Sequence, residues 1–408
     1  MPKPTILTFV HWYWPGYKGG GPIRTILNMV DVLGDDLEFR IVTSDRDLKD
    51  KAPYAGIAAD SWQRVGKARV HYTSSGKQGI LNWAHLIQNT PHDVVYLNSL
   101  FDLAFTFRPL LACKLMEATK NPIIIAPRGE LSPGAISLKR WKKVPFLQIA
   151  KRLGLYRNIV WQATTEDEGE LIRRQFGVNV KVAVAGNLPR TIVDLPPRSD
   201  AGVPRGPLRI AFLSRISRNK NLDYALRVLS GARSAIQFDI WGPLEDPVYW
   251  EECQTFMEVL RANVKVQYCG LAKPTNVIGI LSNYDLLFLP TRGENYGHVI
   301  AEAFSAGTPV LISDTTPWRN LQAEGVGWDL PLDAGEHTFV KVIEESGQMI
   351  PANREVWRKR VQDFAQKRLY DPNLVSANFG LFLRASGRPC RAEDKATTLG
   401  RDLGDPAL

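Results

Sequence analysis

The chain has 408 residues, 44% hydrophobic and 23% charged, and a formal net charge of +9. This is the composition of a globular protein too long for one ordinary core, and it predicts two domains of about 150–200 residues with extras. No run approaches the ~18 apolar residues of a membrane span, and the scattered Cys113, Cys253, Cys269 and Cys390, with no C-x-x-C and no nearby His at ligand spacing, suggest neither a disulfide framework nor a zinc site.

Residues 1–10 are too brief an apolar run for a signal peptide, so they are expected to be a first strand of a chain that stays in the cytoplasm. The positive balance implies anionic partners: nucleotides, lipid headgroups or nucleic acid.

In chain order, residues 6–10 read as a buried strand and 11–18 as an aromatic loop. Gly19, Gly20, Gly21 and Pro22 then open a helix carrying Ile23, Ile26, Leu27 and Val30 at helical spacing. Glycines before a helix let backbone approach a phosphate or a sugar closely. The alternative is a flexible turn, and no G-x-G-x-x-G dinucleotide fingerprint is present. Further strands are predicted at 39–43, 69–72, 94–97, 123–126, 160–163 and 180–184, with helices at 103–118 and 167–175. Apolar strands alternating with helices predict a doubly wound parallel sheet, whose ligands gather at the carboxyl ends of the strands. Asn98 and Arg128 lie in two such loops, 98–102 and 127–131.

Residues 131–165 contain no acidic side chain, and Lys139, Arg140, Lys142, Lys143, Lys151, Arg152 and Arg157 are interleaved with Trp141, Phe146, Leu147, Ile149 and Leu153. Residues 136–157 therefore predict a basic amphipathic surface for anionic lipid. The alternative is a helix whose apolar side packs on its own domain. No nucleic-acid-binding motif accompanies the charge, so nucleic acid is not an expected partner.

Five prolines and no apolar period mark 189–207 as a linker between a first domain, 1–188, and a second, 208–350. The second alternates again: strand 208–214, helix 222–229, strand 236–241, helix 248–260, strand 264–268, helix 277–282. It ends in strand 285–290, loop 292–297, helix 298–306 closed by Gly307 and Pro309, another strand, and a strand at 326–330. Helices follow at 336–346, 352–366 and 372–383. Residues 386–408 lack apolar pattern and are expected to be a disordered tail.

Glu294 and Glu302, eight positions apart, frame the start of helix 298–306, and at a helical rise their axial separation is at most ~12 Å. That suits the two ends of one elongated ligand, since each carboxylate can accept from a vicinal diol. An isolated pair with this spacing would more often be a solvated loop residue and a surface helix residue. Arg215 and Lys220, just after a strand, can clamp a diphosphate.

Strand, Gly-Glu-Asn-Tyr-Gly-His, helix, Ala-Gly-Thr-Pro-Val resembles the donor-site signature of family-4 retaining glycosyltransferases. Ser214 to Asn221 resembles that family's Arg-x4-Lys clamp, and Trp241-Gly242-Pro243 its Gly-Pro turn. The resemblance implies a GT-B fold: two Rossmann-like, doubly wound α/β domains facing across a cleft, with C-terminal helices, 351–385, crossing back to the first. It implies a nucleotide-diphosphate sugar as donor, a glycan or lipid-linked acceptor, and a metal-independent, cofactor-free retaining transfer in cell-envelope or exopolysaccharide synthesis, peripheral on the inner face of the membrane. Glu294 would be the catalytic group and, with Asn295, hold the sugar. Arg215, Lys220, Gly20, Gly21, Tyr296, Gly297 and His298 would meet the diphosphate, and Glu302 the ribose. Gly242, Gly270 and Leu271 would form the nucleobase region, and Asn98 and Arg128 the acceptor side. Relatives often carry histidine where this chain has Asn98, which removes any histidine-assisted role at that position. Two other readings stand beside it: a nucleotide-sugar epimerase or hydrolase, which shares the GT-B architecture, and, from a different class, a non-catalytic nucleotide-sugar- or membrane-binding scaffold.

Overall fold

The computed structural model describes residues 2–137, 140–190, 206–349 and 351–388. They divide into two compact units, one drawn from Met1–Thr191 with Asp371–Leu408, the other from Ile192–Tyr370.

The first unit holds strands β1 (Thr5–Phe9), β2 (Glu38–Ser44), β3 (Trp62–Val65), β4 (Ala68–Thr73), β5 (Val94–Asn98), β6 (Ile123–Ala126), β7 (Ile159–Ala163) and β8 (Lys181–Val184). They form one sheet in the order β3-β4-β2-β1-β5-β6-β7-β8. Every pairing is parallel except β3 with β4. Leu7, Phe9, Val95 and Leu97 enter one core, while their neighbours Ile6, Val94 and Tyr96 enter another. Successive side chains point to opposite faces, and both faces are covered, which is why these strands are continuous apolar runs.

The sequence pattern missed β3 because none of its four residues is fully buried. It also missed helix Ile80–Asn89. The helix predicted over 103–118 is two pieces, a π turn at Leu103–Phe107 and helix Arg108–Leu115. Asp102 caps the first piece, its Oδ1 accepting from the amides of Ala104 (2.9 Å) and Phe105 (2.8 Å).

Helix Pro372–Ala385 belongs to this unit. Phe382 meets Tyr96 edge-on at 5.2 Å and Phe39 at 6.0 Å, and buried Asn378 donates to the carbonyls of Gly186 (2.8 Å) and Leu374 (2.9 Å). The preceding helix, Pro351–Leu369, does not join it: Val361, Ala365 and Leu369 complete the core of the second unit. Only the later of the helices in 351–385 therefore sits with the first unit; an apolar spacing marks a buried face without saying which core buries it. Most of the expected linker, 191–205, and the tail from 389 to 408 lie outside the described residues. The tail's first residues are ordered against the first unit, Arg388 pairing with Asp93 at 3.6 Å.

The second unit holds β9 (Leu208–Leu213), β10 (Ile236–Trp241), β11 (Val264–Gly270), β12 (Leu286–Leu289), β13 (Val310–Ser313) and β14 (Gly327–Leu330). Their order is β11-β10-β9-β12-β13-β14, all parallel. Helix Leu222–Ser230 shows why the fold is specified: Leu222, Ala225, Leu226 and Leu229 recur on one face, and all are buried. Each large apolar side chain so buried contributes about 1.5–3 kcal/mol.

In this sheet the chain winds outward from β9 to β11, then returns to start again at β12. Strand order reverses between β9 and β12, and in the first unit between β1 and β5. At such a switch point the loops leaving the carboxyl ends diverge and open a crevice, where ligands bind.

Candidate functional site

In the second unit, the loop leaving β9 and the loop leaving β12 are tied together at the switch point. Asn221 adopts a left-handed conformation (φ 62°) and donates to the Pro290 carbonyl at 3.0 Å. Its side-chain oxygen accepts from Arg292 Nε at 3.1 Å, and the Asn219 carbonyl accepts from the Arg292 amide at 2.8 Å and Thr291 Oγ1 at 3.0 Å. Asn219 Nδ2 in turn donates to the Gly293 carbonyl at 3.1 Å. Fixing the loops this way brings Lys220 against Glu294: Lys220 Nζ donates to Glu294 Oε1, with the side chains only 9% and 17% exposed. Each charge offsets the desolvation of the other. An ammonium has three donors, so Lys220 retains two for a further anion.

Arg215 points its guanidinium at Glu245, donating from Nη1 to both carboxylate oxygens at 3.0 and 2.9 Å. Glu245 follows Gly242 in the β10 loop, and that loop is locked to Arg215's own: the Ile216 amide donates to the Pro243 carbonyl at 2.9 Å. Gly242 has φ 138°, and a Cβ there would lie 1.8 Å from the Ser214 carbonyl oxygen. Its amide donates to the Gly270 carbonyl at 2.8 Å, and its carbonyl accepts from Tyr268 OH at 2.8 Å. Leu271, next to Gly270, is 45% exposed. Gly242, Gly270 and Arg215 are thus neighbours at the ends of β9, β10 and β11.

Helix His298–Ser305 starts at Gly297, which is left-handed (φ 76°) and offers no side-chain cap. A Cβ there would meet Ile300 Cδ1 at 2.7 Å. An uncapped first turn directs amide hydrogens and the positive helix end outward. The Tyr296 carbonyl accepts from Trp318 Nε1 at 2.5 Å, and its ring lies 4.8 Å from His298; burial pushes the Tyr296 phenol well above its ordinary range. Asn295 is half-buried in the same loop, and Glu302 is buried within the helix. The far end closes as the sequence predicts: the amides of Gly307 and Thr308 donate to the carbonyls of Phe304 (2.9 Å) and Ala303 (2.8 Å), with Gly307 at φ 70°.

The first unit carries the remaining predicted residues. Gly20 (φ 70°) immediately precedes helix Gly21–Leu33. Asn98 and Arg128 meet: Asn98 Oδ1 accepts from Arg128 Nη2 at 3.0 Å, and Asn187 Oδ1 accepts from Nη1 at 2.8 Å. Arg128 Nη2 also donates to Tyr96 OH. These partners are neutral, so they orient the guanidinium without neutralising it. Beside it, Glu130 accepts from Ser99 Oγ (2.8 Å) and from the amides of Leu100 (2.5 Å) and Phe101 (3.1 Å), while burial raises its carboxyl above the usual range.

The basic stretch folds as helices Pro133–Ser137 and Arg140–Arg152. Leu147 and Ala150 turn inward. Trp141, Ile149 and Leu153, at helical spacing, are 74%, 58% and 66% exposed. Lys139 lies outside the described residues. Among those residues no helix is long and apolar enough to cross a membrane, and no three or more His, Cys, Asp or Glu gather as a metal-ligand set.

Residues 198–330 match the family model described as Glycosyl transferases group 1. An uncharacterized 41.2 kDa protein in the cps region of Klebsiella pneumoniae is 25% identical over 240 residues, 57% of this chain and 63% of that protein. The GtfA subunit of a UDP-N-acetylglucosamine–peptide N-acetylglucosaminyltransferase from Streptococcus pneumoniae serotype 4 is 22% identical over 52% of this chain and 39% of its own length. These matches therefore span less than two thirds of either relative. The crystal structure of Anabaena Alr3699/HepE in complex with UDP and glucose aligns with a TM-score of 0.65 at 16% identity, covering 94% of this chain and 100% of that one. The chain has the GT-B fold of that structure, and its segment 198–330 is similar to the group 1 glycosyltransferases. The matched segment contains the whole β9 and β12 switch point.

Sequence reasoning missed three side chains. Glu245 sits three positions after Gly242, and a carboxylate that close to a candidate clamp was the available signal. His11 and Asp102 meet at the other switch point, His11 Nδ1 lying 2.6 Å from Asp102 Oδ2. Ninety-one positions separate them, and no local spacing announces the pair.

Proposed function

We propose that this chain is a retaining glycosyltransferase that moves a sugar from a nucleotide-diphosphate sugar to a glycan or lipid-linked acceptor. The observation that carries the reading is the Lys220–Glu294 pair, held at the β9 and β12 switch point beside the uncapped helix start at Gly297. Lys220, Arg215 and the first-turn amides from Gly297 to His298 would hold the diphosphate and stabilise charge as it departs, without a metal. Glu302 would accept from the ribose diol. Glu294 and Asn295 would hold the sugar hydroxyls, and Gly270 and Leu271 would border the base. Gly20 and Gly21 would meet the donor's diphosphate, and Asn98 and Arg128 would face the acceptor. Substitution would be front-face: the acceptor oxygen bonds to the anomeric carbon, the bond to phosphate breaks, and the leaving phosphate oxygen takes the electron pair and the acceptor's proton.

Mass spectrometry and proton NMR of products from a panel of nucleotide sugars, with and without glycan acceptors, test this. A glycosylated acceptor with retained anomeric configuration is expected. Turnover of donor alone, at a rate indifferent to every acceptor, would instead indicate an epimerase or hydrolase, and binding without turnover a scaffold. Replacing Lys220 by alanine is expected to weaken nucleoside diphosphate binding at least about tenfold in calorimetry, the scale of one charge-assisted hydrogen bond. Unchanged affinity would remove Lys220 from the diphosphate.

The Klebsiella relative's cps-region origin supports a polysaccharide or envelope setting, and we place the chain on an anionic membrane face through residues 136–157. Exposed Trp141, Ile149 and Leu153 would enter the interface beside Arg140, Lys142, Lys151 and Arg152. Each cation contributes about 1 kcal/mol near anionic headgroups, so converting Arg140 and Lys142 to glutamine should weaken association with phosphatidylglycerol vesicles roughly 30-fold. Unaltered co-sedimentation would show that this face stays in water.

A further inference from the structure

The switch point of the first unit carries a pair with no role in the reading above. His11 leaves the carboxyl end of β1, and Asp102 follows the neighbouring strand β5. The two Asp102 oxygens divide their work: Oδ1 caps the following turn through the amides of Ala104 and Phe105, and Oδ2 faces His11 Nδ1 at 2.6 Å. That bond assigns the Nδ1 proton to the Asp102 side and leaves Nε2 as an acceptor, with no partner among the described residues. The ring is fixed on its faces as well. It stacks on Trp12 at 4.0 Å and 17° and lies 4.8 Å from Phe105. Its backbone carbonyl accepts from the Ser44 amide and from Thr43 Oγ1, each at 3.0 Å. A histidine needed only to fill space does not require its tautomer, ring plane and backbone all set, and this one remains 31% exposed.

The loop beyond it is equally restrained. Buried Asp47 accepts from the amides of Tyr17 (2.8 Å) and Lys18 (3.1 Å), and Tyr72 OH donates to the Trp14 carbonyl at 2.6 Å. Yet the rings of Trp14 and Tyr17 stay 49% and 38% exposed. Large aromatics held outward on an ordered loop that begins at an oriented hydrogen-bond acceptor suit a ligand with an apolar face and a polar rim. A pyranose ring has both.

We propose that His11, oriented by Asp102, accepts a hydrogen bond from a hydroxyl of a carbohydrate acceptor, while Trp14 and Tyr17 carry that sugar's C–H face. The inference rests on the transferase reading and names the acceptor class for it. The hydroxyl bound by His11 is not the one that reacts, whose proton goes to the leaving phosphate. His11 is thus a binding and specificity residue, and its loss should appear in the Michaelis constant for acceptor.

The test uses the full chain, the nucleotide sugar selected by the product panel, and methyl hexopyranosides as acceptors. His11→Phe keeps a ring on Trp12 and removes Nε2. Asp102→Asn keeps an oxygen for the cap but offers an amide N–H to Nδ1, which turns Nε2 into a donor. Both variants should raise KM for the glycoside about 10–100-fold with kcat within a few-fold of wild type and an unchanged Kd for the nucleoside diphosphate. Trp14→Ala should raise the same KM. A His11→Phe KM within twofold of wild type overturns the proposal, as does transfer to aliphatic alcohols but to no glycoside. A wild-type chain that binds no nucleotide fails at the transferase reading instead, so the two failures are distinguishable.

Discussion

Glu294→Ala should lower turnover about 10²–10³-fold while nucleoside diphosphate affinity holds or rises. Removing one preorganised polar contact to a reacting centre costs on the order of 3–4 kcal/mol of barrier, and Glu294 is the carboxylate that would fix the sugar against its acceptor. The affinity follows from its partner: without Glu294, all three Lys220 protons become available to the diphosphate. The substitution also strands a buried ammonium, and breaking such a pair destabilises by roughly 3–5 kcal/mol, visible as a fall in melting temperature. Glu294→Gln separates the effects, because its amide oxygen still accepts from Lys220. Catalysis should remain low in the Gln variant while most of the stability returns. Full turnover in either variant would remove Glu294 from the reaction.

Gly242→Ala should be the most destabilising single-methyl change in the second unit. A Cβ 1.8 Å from the Ser214 carbonyl oxygen cannot be accommodated by a side-chain rotation, since backbone stands on both sides of the clash. With φ at 138°, the backbone itself also resists a side chain. Strain of this kind together with overpacking costs about 3–5 kcal/mol, a drop on the order of 10 °C for a unit of this size. Relief by moving Ser214 would shift Arg215, so nucleotide affinity should fall with stability. Gly270→Ala is the control: φ is 80° there, but nothing lies within 4 Å of the added carbon, and only the backbone term of about 1 kcal/mol remains. Equal melting temperatures for the two variants would contradict the clash.

Both doubly wound sheets were legible in the sequence because their strands are buried on two faces. Leu286–Leu289 and Ile123–Ala126 are unbroken apolar runs for that reason. β3 escaped notice because it is an edge strand without a fully buried residue, and Pro351–Leu369 was misplaced because a helix's apolar spacing is blind to its partner. At the site, the left-handed glycines and the helix start after Gly297 were readable from local chemistry. Contacts across long sequence separations were not. Lys220 with Glu294 and His11 with Asp102 exist because strand order reverses and sets distant loops side by side, and Arg215 with Glu245 because β9 and β10 lie next to each other in the sheet.

Calorimetric titration of UDP and GDP into the wild-type chain and into Lys220→Ala decides whether Lys220 holds a diphosphate. One of the nucleotides should bind the wild type, and should bind the variant at least about tenfold more weakly. No heat from either nucleotide with the wild type, or identical isotherms for the two chains, would contradict a diphosphate held at the β9 and β12 switch point.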